Sequence, residues 1–292
     1  MEKKFRQVIR GFFPTVAMVL IQTILGFVVM VGIATDYMLK HNITSTNQLT
    51  DEVYQSLIDR MYSTDANVIL SVLYGVVCCV IFTLWYRQIR KGMWHESLSG
   101  YGKGMFPGLL LLAVALQFLT GYITEVCAIA FPSWAAEYEV LLEEMGISDA
   151  SVSIGMIIYT VVLAPIAEEL CFRGVTYTYL RRGVSMWSAI IIQAILFAGF
   201  HGNFFQASYT LVFGLFVGYI YAKSENILLT IGLHMGYNFI AMFGAQYIYL
   251  GNHAISFFCI LLTTMVACYI GVRLVAESIP HLVENRKDSK DR

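Results

Sequence analysis

Glu168, Glu169, Arg173, His201, His234 and Asn238 lie in the most apolar part of the chain. A charged side chain at the centre of a membrane helix costs ~3 kcal/mol or more, so an ionisable residue there is first of all a hypothesis about function. Residues 164–174 read APIAEELCFRG. On a helix advancing about 100° per residue, Glu169 and Arg173 share a face at their spacing of four, and Glu168 points elsewhere. The expected division is an ion pair between Glu169 and Arg173 that leaves the Glu168 carboxylate available as a general base. The bland alternative is that all three form a buried ion network that fixes helix packing.

The histidines weigh against the bland alternative. One stretch ends FAGFH, which sets Phe197 and His201 on one face, and another reads GLHMGYN, which sets His234 and Asn238 on one face. Gly232 and Gly236 flank His234 in a Gly-x-x-x-Gly pattern that permits close helix approach. A carboxylate and a histidine can orient a water, and a second histidine with an asparagine amide can stabilise an oxyanion. Together these are the parts needed for amide hydrolysis. Ser153 and Ser185 have no helical partner resembling a Ser-His pair, and Cys171 sits among apolar neighbours, so a covalent nucleophile is not expected. No cofactor is required. The alternative is zinc held by Glu168, His201 and His234, although the His-Glu-x-x-His helix of soluble zinc proteases is absent and asparagine is a poor zinc ligand.

Membrane helices must position these groups. Hydrophobic residues make up 58% of the chain and charged residues 13%, which excludes an ordinary soluble domain. Eight stretches approach the ~20 apolar residues that span a hydrocarbon core. They are residues 12–34, 67–86, 105–131, 152–172, 184–202, 205–222, 227–248 and 254–276. The fold class is therefore all-α, a polytopic membrane protein with about eight transmembrane helices and a catalytic cavity within the C-terminal ones. At 1.5 Å per residue Glu168 lies ~20 Å from the Arg181–Arg182 hairpin, His201 ~27 Å from it and His234 ~16 Å from Lys223, so one shared cavity is feasible.

Basic residues collect on one side: Lys3, Lys4, Arg6, Arg10, Arg87, Arg90, Lys91, Lys103, Arg181, Arg182, Lys223 and the C-terminal tail. The opposite loops hold Asp36, Asp51, Glu52, Asp59, Asp65, Glu137, Glu139, Glu143, Glu144 and Asp149, with Lys40 and Arg60. This segregation predicts cytoplasmic N- and C-termini, and a bacterial plasma membrane is the expected location. The first apolar stretch is too long for a signal peptide and lacks a clear cleavage site. A net charge of −1 without a basic stripe gives no reason to expect nucleic acid. Cys78, Cys79, Cys127, Cys171, Cys259 and Cys268 lack metal or disulfide-framework spacing and read as small apolar packing residues. Val53, Leu57, Ile58 and Met61 predict a short amphipathic surface helix, and residues 42–44 match a glycosylation sequon.

The ordered series Glu168-Glu169-x-x-x-Arg173, Phe197-x-x-x-His201 and His234-x-x-x-Asn238 resembles the motifs of the CPBP family, the CAAX proteases and bacteriocin-processing enzymes also called the Abi family. The resemblance covers about residues 152–248. It implies an intramembrane endopeptidase of the type II CAAX protease fold in which Glu168 and His201 activate water, His234 and Asn238 bind the oxyanion, and Glu169 and Arg173 support them. It also implies a peptide or membrane-protein substrate, lipidated or not, in CAAX-type processing, bacteriocin or signal-peptide maturation, or self-immunity. The expected organisation is N-terminal helices and outer loops over 1–150, a catalytic core over 151–248, and a last helix and tail over 249–292. Two readings from other classes are a proton-coupled transporter, which would need symmetrical broken-helix halves, and a non-catalytic immunity or scaffold protein.

Overall fold

Serine, threonine, asparagine and proline mark where the helices begin. The computed structural model describes residues 2–90, 98–147, 152–244 and 247–280, so Lys91, Asp149 and the basic tail after residue 280 lie outside the described residues. An interfacial helix α1 (Glu2–Arg10) leads through a turn into α2 (Phe13–Lys40), which has a proline in its first turn. The amphipathic helix expected at the surface is α3 (Asp51–Met61), capped by the Thr50 hydroxyl and followed by α4 (Thr64–Ile89), capped by Ser63. The bundle continues with α5 (Met105–Ala130), the short α6 (Pro132–Glu144) and a long helix α7 (Ile154–Arg181). It closes with α8 (Met186–Phe200), α9 (Phe204–Ser224), α10 (Ile227–Gly244) and α11 (Ala254–Glu277). No strand occurs among the described residues.

The polytopic all-α expectation holds, since seven helices among the described residues are long and apolar enough to cross a membrane. The exception among the eight expected places is α8, whose 15 residues reach only about 22 Å. Ser153 and Ser185, weighed above as nucleophiles, instead accept the backbone N–H of Met156 and Ser188 and cap α7 and α8. Asn203 and Asn226 do the same at the starts of α9 and α10. Three of these four caps fix the starting points of the helices that carry the six polar residues, and the Asn203 cap starts α9.

Sequence reading treated residues 132–144 as outer loop because four glutamates mask the pattern. The segment is helical, and its inner face is aromatic: Trp134 stacks on Phe204, and the Tyr138 and Tyr209 hydroxyls lie 2.9 Å apart. The opposite end gathers the basic connections, where Arg90 donates to Glu225 O, Arg182 to Ile89 O and Gly102 N–H to Ser278 O. The two ends of the bundle are therefore of opposite charge character, as the loops foretold.

Large apolar side chains such as Phe27, Val80, Leu110, Phe258 and Leu262 are exposed around the outside, the reverse of a soluble protein and suited to lipid. With lipid outside, helix association depends on close packing at small residues. Between α5 and α11 a β-carbon on Gly108 would fall 2.9 Å from the Leu274 β-carbon, whereas one on Gly32 of α2 would meet nothing within 4 Å. Gly108→Leu should therefore destabilise the protein by about 1–3 kcal/mol in detergent unfolding, with Gly32→Leu nearly neutral. Equal losses in the two variants would remove this account of the packing.

Candidate active site

Helix α7, which carries Glu168, Glu169 and Arg173, is not a regular α-helix. Its hydrogen bonding widens to the π pattern over Tyr159–Leu163 and again over Glu169–Tyr177, with Ala164–Glu168 in ordinary α form between them. Such widenings concentrate at functional sites because they displace side chains from the regular phase. The 100° step assumed from the sequence therefore does not hold beyond Glu168, although Glu169 and Arg173 still meet.

Pro165 explains part of the first widening. The Ala164 N–H bonds Tyr159 O, five residues back. The same step would match Thr160 O with the N–H of residue 165, which proline lacks. A backbone carbonyl without a partner is costly inside a membrane. Asn238 of α10 resolves it, with Nδ2 donating to Thr160 O at 2.8 Å. The Cys79 thiol on α4 approaches Leu163 O at 3.4 Å in the same stretch, and Gly75 lets α4 come that close.

Glu169 and Arg173 form the expected pair. Nη1 of Arg173 donates to Glu169 Oε1 at 2.9 Å, and both side chains are fully buried. The same oxygen accepts Nδ1–H of His234, also at 2.9 Å. A carboxylate oxygen fixes the tautomer at that nitrogen, so His234 Nε2 turns toward Glu168 Oε2, 3.8 Å away. Glu168 keeps 12% of its side-chain surface accessible while Glu169 keeps none. One glutamate is enclosed with two donors, and its neighbour keeps a small accessible fraction.

Phe197 joins the remaining parts. The Arg173 guanidinium lies 4.5 Å over its ring, and the rings of His201 and His234 meet it edge-on with centroids 4.9 and 6.0 Å away. His201 thus reaches the set through an aromatic ring, not through a hydrogen bond to Glu168. Its Nδ1 donates to Phe197 O at 2.8 Å, which leaves Nε2 of the neutral ring as the acceptor. His201 ends α8 and is followed by Gly202 at φ +69°, a left-handed turn that suits glycine. Asn238 lies on the far side, held to Thr160, with one amide N–H beyond that bond.

The arrangement supplies an accessible carboxylate, an imidazole acceptor, a second imidazole anchored to a buried anion and an amide donor. Among the described residues no group of three His, Cys, Asp or Glu side chains stands close enough together to hold a metal ion. Sequence reading passed over Pro165 as part of a motif, Phe213, whose ring lies 4.8 Å from that of His234, and the buried Gln193. The last carried a legible signal, since Gln193, Phe197 and His201 recur every fourth residue.

Removing one partner of the buried pair strands the other. Arg173→Met should cost about 3–5 kcal/mol in detergent unfolding, and the double variant with Glu169→Gln should recover much of it. A double variant as unstable as the single one would contradict the pairing. The Thr160 carbonyl gives a second check: Asn238→Ala should cost about 1 kcal/mol, and less in a Pro165→Ala background, where the backbone regains an N–H. Strictly additive losses would show that the two residues do not serve the same carbonyl.

No curated protein and no solved structure matches the chain. Residues 150–240 match the family model described as Type II CAAX prenyl endopeptidase Rce1-like, a segment that contains all six polar residues and the two π stretches. With seven helices apolar and long enough to cross a membrane among the described residues, the chain is an integral membrane protein, and its 150–240 segment is similar to type II CAAX prenyl endopeptidase domains, a kind of protease.

Proposed function

We propose that the protein is an intramembrane endopeptidase that hydrolyses a peptide bond with a water activated by Glu168 and His201, without a metal. The observation that carries this reading is the asymmetry of the adjacent glutamates: Glu169 is enclosed and shared by Arg173 and His234, whereas Glu168 is accessible. A buried ion network would consume both.

In this reading Glu168 takes a proton from water while His201 Nε2 accepts a hydrogen bond from it, and the water oxygen attacks the carbonyl carbon of the substrate. The oxyanion is met by His234 Nε2–H, with Glu169 balancing the ring charge, and by the second N–H of Asn238. The proton held by Glu168 passes to the departing amine as the C–N bond breaks, which returns the carboxylate. Such sites exclude bulk water and so strengthen each of these interactions. The substrate is a peptide or a membrane-associated protein, reached from within the bilayer, and the basic end of the bundle faces the cytoplasm.

Glu168→Gln preserves size and one hydrogen-bonding oxygen but removes the base. It should accumulate and unfold like the parent while cleavage falls by at least about a hundredfold. Comparative peptidomics of cells carrying the parent or the variant measures this and identifies the substrate by the peptides that disappear. Undiminished product formation by Glu168→Gln would overturn the proposal, and stoichiometric zinc required for activity, found by elemental analysis with and without a chelator, would overturn its metal-free form.

A further inference from the structure

We infer that Gln193 is a positioning residue of this site, acting on His234 through a carbonyl it shares with Arg173. The inference rests on the hydrolytic reading for its effect on rate, but not for its geometry. Gln193 is fully buried on α8 and outside the motif series. Its Nε2 donates to Ile190 O at 2.9 Å within its own helix and to Gly214 O of α9 at 3.0 Å. Nη2 of Arg173 approaches that same Gly214 oxygen at 3.5 Å. The connection then runs from Arg173 to Glu169 and from Glu169 to His234 Nδ1, at 2.9 Å each.

Helix α9 is shaped to receive the amide. A β-carbon on Gly218 would fall 2.3 Å from Gln193 Nε2, and one on Gly214 would press on Phe197 Cδ1 at 3.2 Å and on Ala194 at 3.3 Å. The two glycines, four residues apart, allow α9 close enough to α8 for the Gly214 carbonyl to serve both donors. An isolated buried glutamine in a membrane helix is ordinarily an interhelical packing bond. This one differs because it shares its acceptor with the guanidinium that anchors Glu169. It also stands one turn from Phe197, whose ring carries that guanidinium. Without the amide, Arg173 is the one side chain among the described residues left on Gly214 O beyond the bonding of α9 itself, and the side-chain tie between α8 and α9 at this level is lost.

Gln193→Met keeps the length and removes the donor, and Gly218→Ala displaces the amide from the opposite helix. Each should lower kcat for the peptide identified by peptidomics about tenfold to a hundredfold, with KM little changed and the pH profile displaced. The double variant should be no worse than the more severe single one. ¹⁵N NMR of the His234 ring in micelles requires no substrate, and Gln193→Met should shift its Nδ1 resonance as the hydrogen bond to Glu169 loosens. Loss of activity only in proportion to folded protein, with an unchanged pH profile and an unmoved His234 resonance, would reduce Gln193 to packing. If Glu168→Gln is inactive while Gln193→Met behaves like the parent, this inference fails alone. If Glu168→Gln cleaves normally, the hydrolytic reading fails, and the resonance still decides the geometry.

Discussion

The structure depends on one ion pair kept out of water. Enclosing Glu169 with Arg173 costs several kcal/mol per ion in desolvation, and their attraction offsets this only if other groups complete their shells. The groups present are particular and fill part of those shells: the Gly214 carbonyl, the face of Phe197 and the Nδ1–H of His234, while Glu169 Oε2 and Arg173 Nε stay buried without a hydrogen-bond partner among the described residues. Three helices, α8, α9 and α10, are thereby bound to α7 by demands that an apolar side chain cannot meet. Register among the helices follows from electrostatics more than from the shape of the hydrophobic core, because lipid outside the bundle offers apolar contacts as good as those inside.

The second constraint is on the backbone. In hydrocarbon each carbonyl needs a partner, so an irregular helix is tolerated only where a neighbour provides one. Pro165 and the widened turns in α7 break the regular ladder beside Glu168, and Asn238 and Cys79 reach in from α10 and α4 to the displaced carbonyls. Asn238 therefore serves two purposes in the proposed mechanism. One N–H maintains the helix and the other is directed to the reacting carbonyl.

Much of this was legible from residue chemistry. Charged and polar residues in an apolar run are rare enough that Glu168, Glu169, Arg173, His201, His234 and Asn238 could be singled out, and the Glu169–Arg173 pairing follows from spacing alone. The tie between His234 and Glu169 was not legible, because it joins residues 65 positions apart and the sequence gives no angle between their helices. Nor was the phase of α7 beyond Glu168, since a π turn arises from the neighbours that accept its misfit as well as from local propensity. The helix at 132–144 was missed for a different reason: its four glutamates made it look like a loop, and its aromatic inner face acquires meaning only against Phe204 and Tyr209. The fifth apolar stretch, 184–202, was placed correctly but credited with more length than α8 has.

That shortfall in α8 bears on where the reagent comes from. A helix end leaves up to four carbonyls without partners, and α8 ends at His201, where its 15 residues fall short of a bilayer's thickness. The His201 ring takes up one of these carbonyls, Phe197 O, and the His201 and Gly202 N–H groups take up Ala198 O at 3.3 Å and Gly199 O at 3.2 Å. A helix that stops early therefore sets a polar turn within the depth of the bilayer. In the proposed hydrolysis that turn is the supply line for the second substrate, water, which is scarce in its surroundings.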